Sequence, residues 1–165
     1  TGLTTASFQY WPHGVPLLLM LMGLVGGCAA STSGGMKVLR VMLQLGLIRQ
    51  CFNRLIHPNA VSSLRLGERF ISHEVMQSIS AFVFLFISLF FVLLVWLCFL
   101  GLDLETAFGC LVSTLGNVGV GIGNTLPNFN HFSPGCKITL ILAMLAGRLE
   151  LFTLLVLCVP EYWQK

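Results

Sequence analysis

The sequence predicts an all-α integral membrane protein of helix–pore loop–helix repeats, with one broken transmembrane helix. Three observations carry that prediction. Of the 165 residues, 56% are apolar and 9% charged, with a mean hydropathy of +0.88, whereas a soluble domain carries roughly a quarter charged residues. Residues 1–36, 77–102 and 106–136 hold no charge at all, and uncharged runs of about 20 residues can cross a hydrocarbon core about 30 Å thick. Glycine-rich turns fall at 31–35 and at 116–123, within or beside two of those runs. This composition excludes a soluble enzyme, a nucleic-acid-binding domain and a secreted disulfide scaffold.

The elements follow in order. Residues 15–30 form an apolar run behind Trp11-Pro12-His13-Gly14, with Pro16 in the first helical turn, where its missing N–H is harmless. Sixteen residues reach about 24 Å, short for a full crossing. Ser31-Thr32-Ser33-Gly34-Gly35 then favours a break over continued helix, and residues 36–45 resume with amphipathic helical spacing. A half-helix, a break and a basic half-helix make one discontinuous crossing. Irregular backbone at that depth is tolerated only where protein buries it or where it lines a water-filled cavity.

His57-Pro58-Asn59 ends this helix, and residues 61–76 form a polar, interfacial connector. Residues 78–102 are uncharged and rich in Phe, Leu and Val. As a helix they reach about 37 Å, enough for a tilted crossing. Asp103 and Glu105 then mark a helix N-terminus, where the dipole favours acidic groups. Residues 106–115 form a helix too short to span, hence a re-entrant segment. It runs into Gly116-Asn117-Val118-Gly119-Val120-Gly121-Ile122-Gly123, and a loop with Pro127 and Pro134 returns to the surface. Residues 137–159 make the last span, with Arg148 and Glu150 in its middle. Tyr162 and Trp163 anchor its exit.

Charge placement orients these elements. Lys37, Arg40, Arg49, Arg54, Arg65 and Arg69 lie in one segment beside only Glu68 and Glu74, which reads as cytoplasmic by the positive-inside rule. A nucleic-acid partner is not expected of a basic segment flanked by two spans. The six cysteines form no CxxC pair and read as small buried hydrophobes. The chain opens on Thr1-Gly2-Leu3-Thr4-Thr5 with no charged leader before the first apolar run, so it is expected to begin inside a motif and to be a fragment.

The glycine turns point to ion conduction. Backbone carbonyls turned inward can replace the hydration shell of a cation, as in filters of the TVGYG kind, and such turns need residues free of a Cβ penalty. Asn117-Val118-Gly119-Val120-Gly121 has that rhythm behind a short helix whose C-terminal carbonyls suit a cation; the plain alternative is a flexible inter-helix loop. Thr1-Gly2-Leu3-Thr4-Thr5 holds the same place before the broken helix, implying an internal repeat. Arg148, within a span, is expected to face protein or water. Glu150 at i+2 lies on another helix face, so its partners are sought at residues 29–35, as a gate across the path; the alternative is a structural arginine.

Enzymatic readings fail. Met36 separates Gly35 from Lys37 and spoils a phosphate-loop match, and none of His13, His57, His73 or His131 lies on a span to activate Ser31 or Ser33.

Three stretches together resemble the Trk/Ktr potassium-uptake family, and its TrkH branch in particular. They are Gly26-Gly27-Cys28-Ala29-Ala30-Ser31-Thr32-Ser33-Gly34-Gly35-Met36-Lys37-Val38-Leu39-Arg40, Leu55-Ile56-His57-Pro58-Asn59-Ala60, and the run from Gly147-Arg148-Leu149-Glu150 to Leu157. The resemblance covers nearly the whole chain in order. It implies four linked helix–pore-loop–helix units around one pore, with the end of the third unit at 1–59, a cytoplasmic connector at 60–76 and the fourth unit at 77–165. Thr1, Gly2, Leu3, Asn117, Val118 and Gly119 would then line the filter around K⁺. Cys28, Ala29, Ala30, Ser31, Thr32, Ser33, Gly34 and Gly35 would form the gating loop, faced by Arg148. Ala30 and Val120 depart from the family's usual glycine and proline.

By the same resemblance the chain sits in the bacterial cytoplasmic (inner) membrane, in contact with lipid, with 37–76 and the C-terminus cytoplasmic. Its partners would be the remaining pore units, a second copy in a homodimer, and a cytoplasmic nucleotide-binding regulatory subunit. K⁺ is the transported ion, and no organic cofactor is expected on this chain. The rival readings are a non-conducting truncated remnant and a pore for Na⁺ or mixed monovalent cations.

Overall fold

The structure, a computed structural model, describes residues 11–12, 14–28, 31, 34–57, 65–66, 69–119, 132–149, 156 and 162–163. Five helices account for most of them: α1 (Gly14–Val25), α2 (Val38–Ile56), α3 (His73–Phe99), α4 (Leu104–Leu115) and α5 (Pro134–Arg148). A two-residue antiparallel pairing, β1 (Arg65–Leu66) with β2 (Arg69–Phe70), lies in the connector, in the register Arg65↔Phe70 and Leu66↔Arg69. Sequence periodicity gave no sign of this pairing, because two residues are too few to show alternation.

The longest helix, α3, has 27 residues. It is long and apolar enough to cross a membrane, and α1 and α4 are shorter apolar helices. It starts at His73, inside the expected connector and five residues before the expected start at 78. Ser72, with extended backbone, leads into it, and Glu74 occupies the first turn, where the helix dipole favours a carboxylate. The apolar run alone therefore underestimated the helix. α1 stops at Val25 rather than continuing to 30, because Gly26 turns left-handed at φ 75°. α2 ends at Ile56; His57 leaves helical geometry (φ −127°, ψ 83°), as a residue before a proline is driven to do.

The core forms around α4. Ala107, Cys110, Leu111, Val112, Thr114 and Leu115 are fully buried, although this helix has only 12 residues. α3 covers it with a stripe of Phe82, Phe86, Phe90 and Leu97, spaced at helical intervals. Phe90 meets Phe108 edge to face with centroids 5.6 Å apart. α5 adds Cys136, Leu140 and Ala143, and α1 adds Met20. Lipid is as apolar as these side chains, so close packing and not water exclusion holds such helices together, and small residues at the contacts allow it. Ser133 caps α5, its hydroxyl accepting from the Cys136 N–H at 3.4 Å, with Pro134 in the first turn.

α2 is fastened to α3 by polar contacts. The Ser80 hydroxyl donates to Gln44 Oε1 at 3.1 Å, and the Arg40 guanidinium sits 3.9 Å above the Phe82 ring. Arg40 is thus a half-buried fastener and not simply one of the surface charges of the basic segment.

Truncating a side chain on α4 leaves a void among atoms with no solvent to fill it. Leu111→Ala is expected to cost about 2–5 kcal/mol and to lower the apparent Tm in detergent, read by size-exclusion chromatography after heating. An unchanged Tm would contradict the packing described.

Candidate functional site: the end of α4 and the break between α1 and α2

α4 ends among buried residues, with Leu115 fully buried and Gly116 buried. The chain itself supplies partners for some of its last carbonyls. The Gly116 N–H donates to Val112 O (3.0 Å), the Asn117 N–H to Thr114 O (3.2 Å) and the Val118 N–H to Ser113 O (3.0 Å). With Asn117 left-handed at φ 50°, this is a Schellman closure. The Thr114 hydroxyl donates back to Cys110 O at 2.8 Å. Gly119 follows at φ 83°, a conformation open to a residue without Cβ.

The break between α1 and α2 is a loop closed at its neck. The Met36 N–H donates to Leu24 O (3.1 Å) and the Val38 N–H to Gly27 O (3.0 Å). Gly26 and Gly35 are both left-handed and stand back to back. A Cβ on Gly26 would lie 2.5 Å from Gly34 O, and one on Gly35 2.8 Å from Leu24 O. Lys37, at the far side of the neck, also has a positive φ of 64°, a strained position for a residue with Cβ. α1 thus ends before Gly26 and α2 begins only at Val38, a gap between helices wider than the 28–35 expected for the loop.

The loop and the end of α4 meet through glycines. A Cβ on Gly34 would lie 2.7 Å from Asn117 Nδ2 and 3.0 Å from the carbonyl oxygens of both Leu115 and Gly116. One on Gly147 would collide with Leu115 O and lie 2.8 Å from the same Nδ2. On the α1 side, a Cβ on Gly23 would approach Val118 Cγ2 to 3.2 Å, and one on Gly116 would approach Gly23 O to 3.1 Å. Three segments distant in sequence therefore converge on residues 115–118.

Of the residues expected at the site, the structure brings Gly34, Asn117 and Val118 together, with Gly35 and Gly119 beside them in their own turns. Gly34 and Gly35 are buried; Cys28 and Ser31 are exposed. Thr1, Gly2, Leu3, Ala29, Ala30, Thr32 and Ser33 lie outside the described residues, as does Glu150. Arg148 is the last residue of α5 and exposed, the Leu149 N–H donating to Leu145 O at 3.0 Å, and Val156 further on is again helical. A cation in the last turn complements the helix dipole, and most of the expected span beyond it lies outside the described residues. Gly23, Gly26 and Gly147 were missed as site residues; glycines within apolar runs were the available signal.

A family profile described as "TrkH: Cation transport protein" matches residues 1–165. The chain belongs to the TrkH cation transport family. It is 40% identical over 164 residues to "Trk system potassium uptake protein TrkH" of Escherichia coli (strain K12), covering 99% of this chain and 34% of that protein. It is 32% identical over 166 residues to "Trk system potassium uptake protein TrkG" of the same organism, again covering 34% of its length. The crystal structure of the potassium transporter TrkH from Vibrio parahaemolyticus matches with a TM-score of 0.90 at 38% identity, over 98% of this chain and 35% of that one. The chain thus spans about a third of the length of the relatives it matches. The family is one of cation transporters, not enzymes, and the relatives named here are potassium-uptake proteins and a potassium transporter.

The neck glycines yield a direct expectation. Gly35→Ala must place a methyl against backbone in a left-handed conformation and is expected to lose roughly 1–3 kcal/mol of stability. Gly14→Ala, where a Cβ meets nothing within 4 Å, is expected to be neutral. Equal thermal profiles for the two variants would contradict the closed neck.

Proposed function

We propose that this chain forms part of a Trk-type potassium-uptake pore in which K⁺ passes glycine-bearing turns lined by backbone carbonyls. The observation that carries the reading is the buried half-helix α4, whose C-terminal end stops inside the protein before a turn with two left-handed residues, Asn117 and Gly119. The negative end of a helix dipole aimed at this turn stabilises a cation there. The names of the matched relatives supply the ion.

In this reading Thr1, Gly2 and Leu3 serve the third unit's filter, and Asn117, Val118 and Gly119 the fourth's. The units run over 1–59 and 77–165, joined by a connector at 60–76. Residues 28–35, within the closed loop at 26–37, obstruct the path below the filter. Arg148 acts on that obstruction: its neighbour Gly147 already touches the atoms that Gly34 touches, so the arginine starts within a residue of the loop's contact point. The remaining units complete the pore, a second copy forms a homodimer, and nucleotide control comes from a cytoplasmic regulatory subunit. The basic segment 37–76 and the C-terminus face the cytoplasm of a bacterium, with the spans in the inner membrane against lipid.

The test is a chimera in which this chain replaces the matching third of Escherichia coli TrkH, expressed in a bacterium deficient in potassium uptake. The expected result is growth on limiting K⁺. Gly119→Ala, strained at φ 83°, is expected to cut uptake about tenfold or more. A chimera present in the membrane without K⁺ uptake would overturn the reading, favouring a non-conducting remnant; equal uptake of Na⁺ would favour a mixed-cation pore. Arg148→Ala is expected to raise leak through the closed state, and unchanged conductance and gating would remove it from the gate.

A further inference from the structure

The C-termini of α3 and α4 close with one hydrogen-bond pattern but not with one residue. After α3 the left-handed position belongs to Gly101 (φ 93°), with the Gly101 N–H donating to Cys98 O at 3.0 Å and the Leu102 N–H to Leu97 O at 3.2 Å. After α4 the same position belongs to Asn117 (φ 50°). Glycine adopts this conformation most readily, and asparagine only next. Backbone closure therefore gives no reason for a side chain here.

The side chain has a different setting from the backbone. Asn117 Nδ2 is buried and has no hydrogen-bond partner among the described residues, an arrangement that destabilises unless a nearby acceptor can be reached. It sits between two surfaces that only glycine leaves open. A Cβ would come within 2.7 Å of it from Gly34 and within 2.8 Å from Gly147. Gly34 belongs to the 26–37 loop, and Gly147 ends α5 beside Arg148. One amide thus touches the loop and the last helix, while its own backbone is locked to the pore-helix end by hydrogen bonds to Thr114 and from Val118 to Ser113.

We propose that the Asn117 carboxamide is a positioning group that seats the 26–37 loop and the end of α5 against the pore helix, transmitting loop movement to the filter turn. Its Nδ2 fills the space that the missing side chains of Gly34 and Gly147 leave, so the seat is one of close contact with the loop and the last helix. A shift of the loop at Gly34 or of α5 at Gly147 then acts on one side chain, whose Cα lies in the turn that leads to Gly119. The inference rests on the proposed role of this loop as the obstruction below the filter.

The chimera described above tests it. Cys28 is exposed in the loop, and its reaction with a membrane-impermeant maleimide is followed peptide by peptide by mass spectrometry, separately from the other cysteines. Asn117→Gly keeps the left-handed closure and removes the amide; the labelling rate of Cys28 is expected to rise about fivefold, as the close contacts that seat the loop are lost. Asn117→Asp keeps the shape but puts a carboxylate in the buried place of Nδ2 beside Gly34 and Gly147, so it is expected to act in the same direction. Gly34→Ala sets a methyl against Nδ2, and adding Asn117→Gly is expected to restore part of the folded yield it loses.

Gly35→Ala, which opens the neck directly, calibrates the labelling. If it raises the rate while both Asn117 variants stay within twofold of the parent, the seating role is overturned and Asn117 is a helix terminus only. Unchanged labelling with intact K⁺ uptake rejects this inference alone. Absent uptake by the unsubstituted chimera rejects the transport reading instead.

Discussion

A helix that ends in the middle of an apolar fold must find partners for its last carbonyls, and everything around α4 follows from that requirement. Twelve residues cannot cross a bilayer, so this helix cannot deliver its C-terminus to water. The chain instead folds the next three residues back onto it and packs α1, α3 and α5 around it, leaving its middle fully buried. In a soluble domain such an end would be a liability. In a cation transporter the same concentration of inward carbonyl dipoles is the feature that can receive a partly dehydrated ion.

The second constraint is distance. Carbonyl oxygens belong to the backbone, so segments that are to act on them must bring backbone to backbone, and side chains stand in the way. Gly23, Gly34, Gly116 and Gly147 remove that obstacle at four points around residues 115–118. Such contacts tolerate little deformation, because a shift of a few tenths of an ångström is already a clash or a gap. They tie any displacement at Gly34 or Gly147 to residues 115–117, whereas the aromatic stripe of α3 packs against the body of α4.

Much of this was legible in the sequence. The long uncharged run announced α3, the Asp103 and Glu105 pair announced the start of α4, and the Ser/Gly cluster after residue 30 announced the break. These signals are local: charge, capping and backbone freedom act within a few residues. The earlier end of α1 was not legible, because Gly26 turns left-handed only in company with Gly34 and Gly35 across the neck. Nor was the positive φ of Lys37, or the place of Arg148 at the end of α5. Asn117 was singled out for its backbone; the role of its side chain depends on two glycines more than 25 residues away on either side, which no periodicity encodes. Family resemblance filled the remaining gap, since potassium itself leaves no mark on composition.

The central claim is that the end of α4 and its glycine turn receive the transported ion. It is tested most directly by an anomalous-scattering map from crystals of the chimera grown with Rb⁺ or Tl⁺ in place of K⁺. A density peak is expected on the pore side of residues 115–119, within coordination distance of backbone oxygens. A well-ordered turn at these residues with no peak beside it, and the ion found elsewhere in the path, would contradict it.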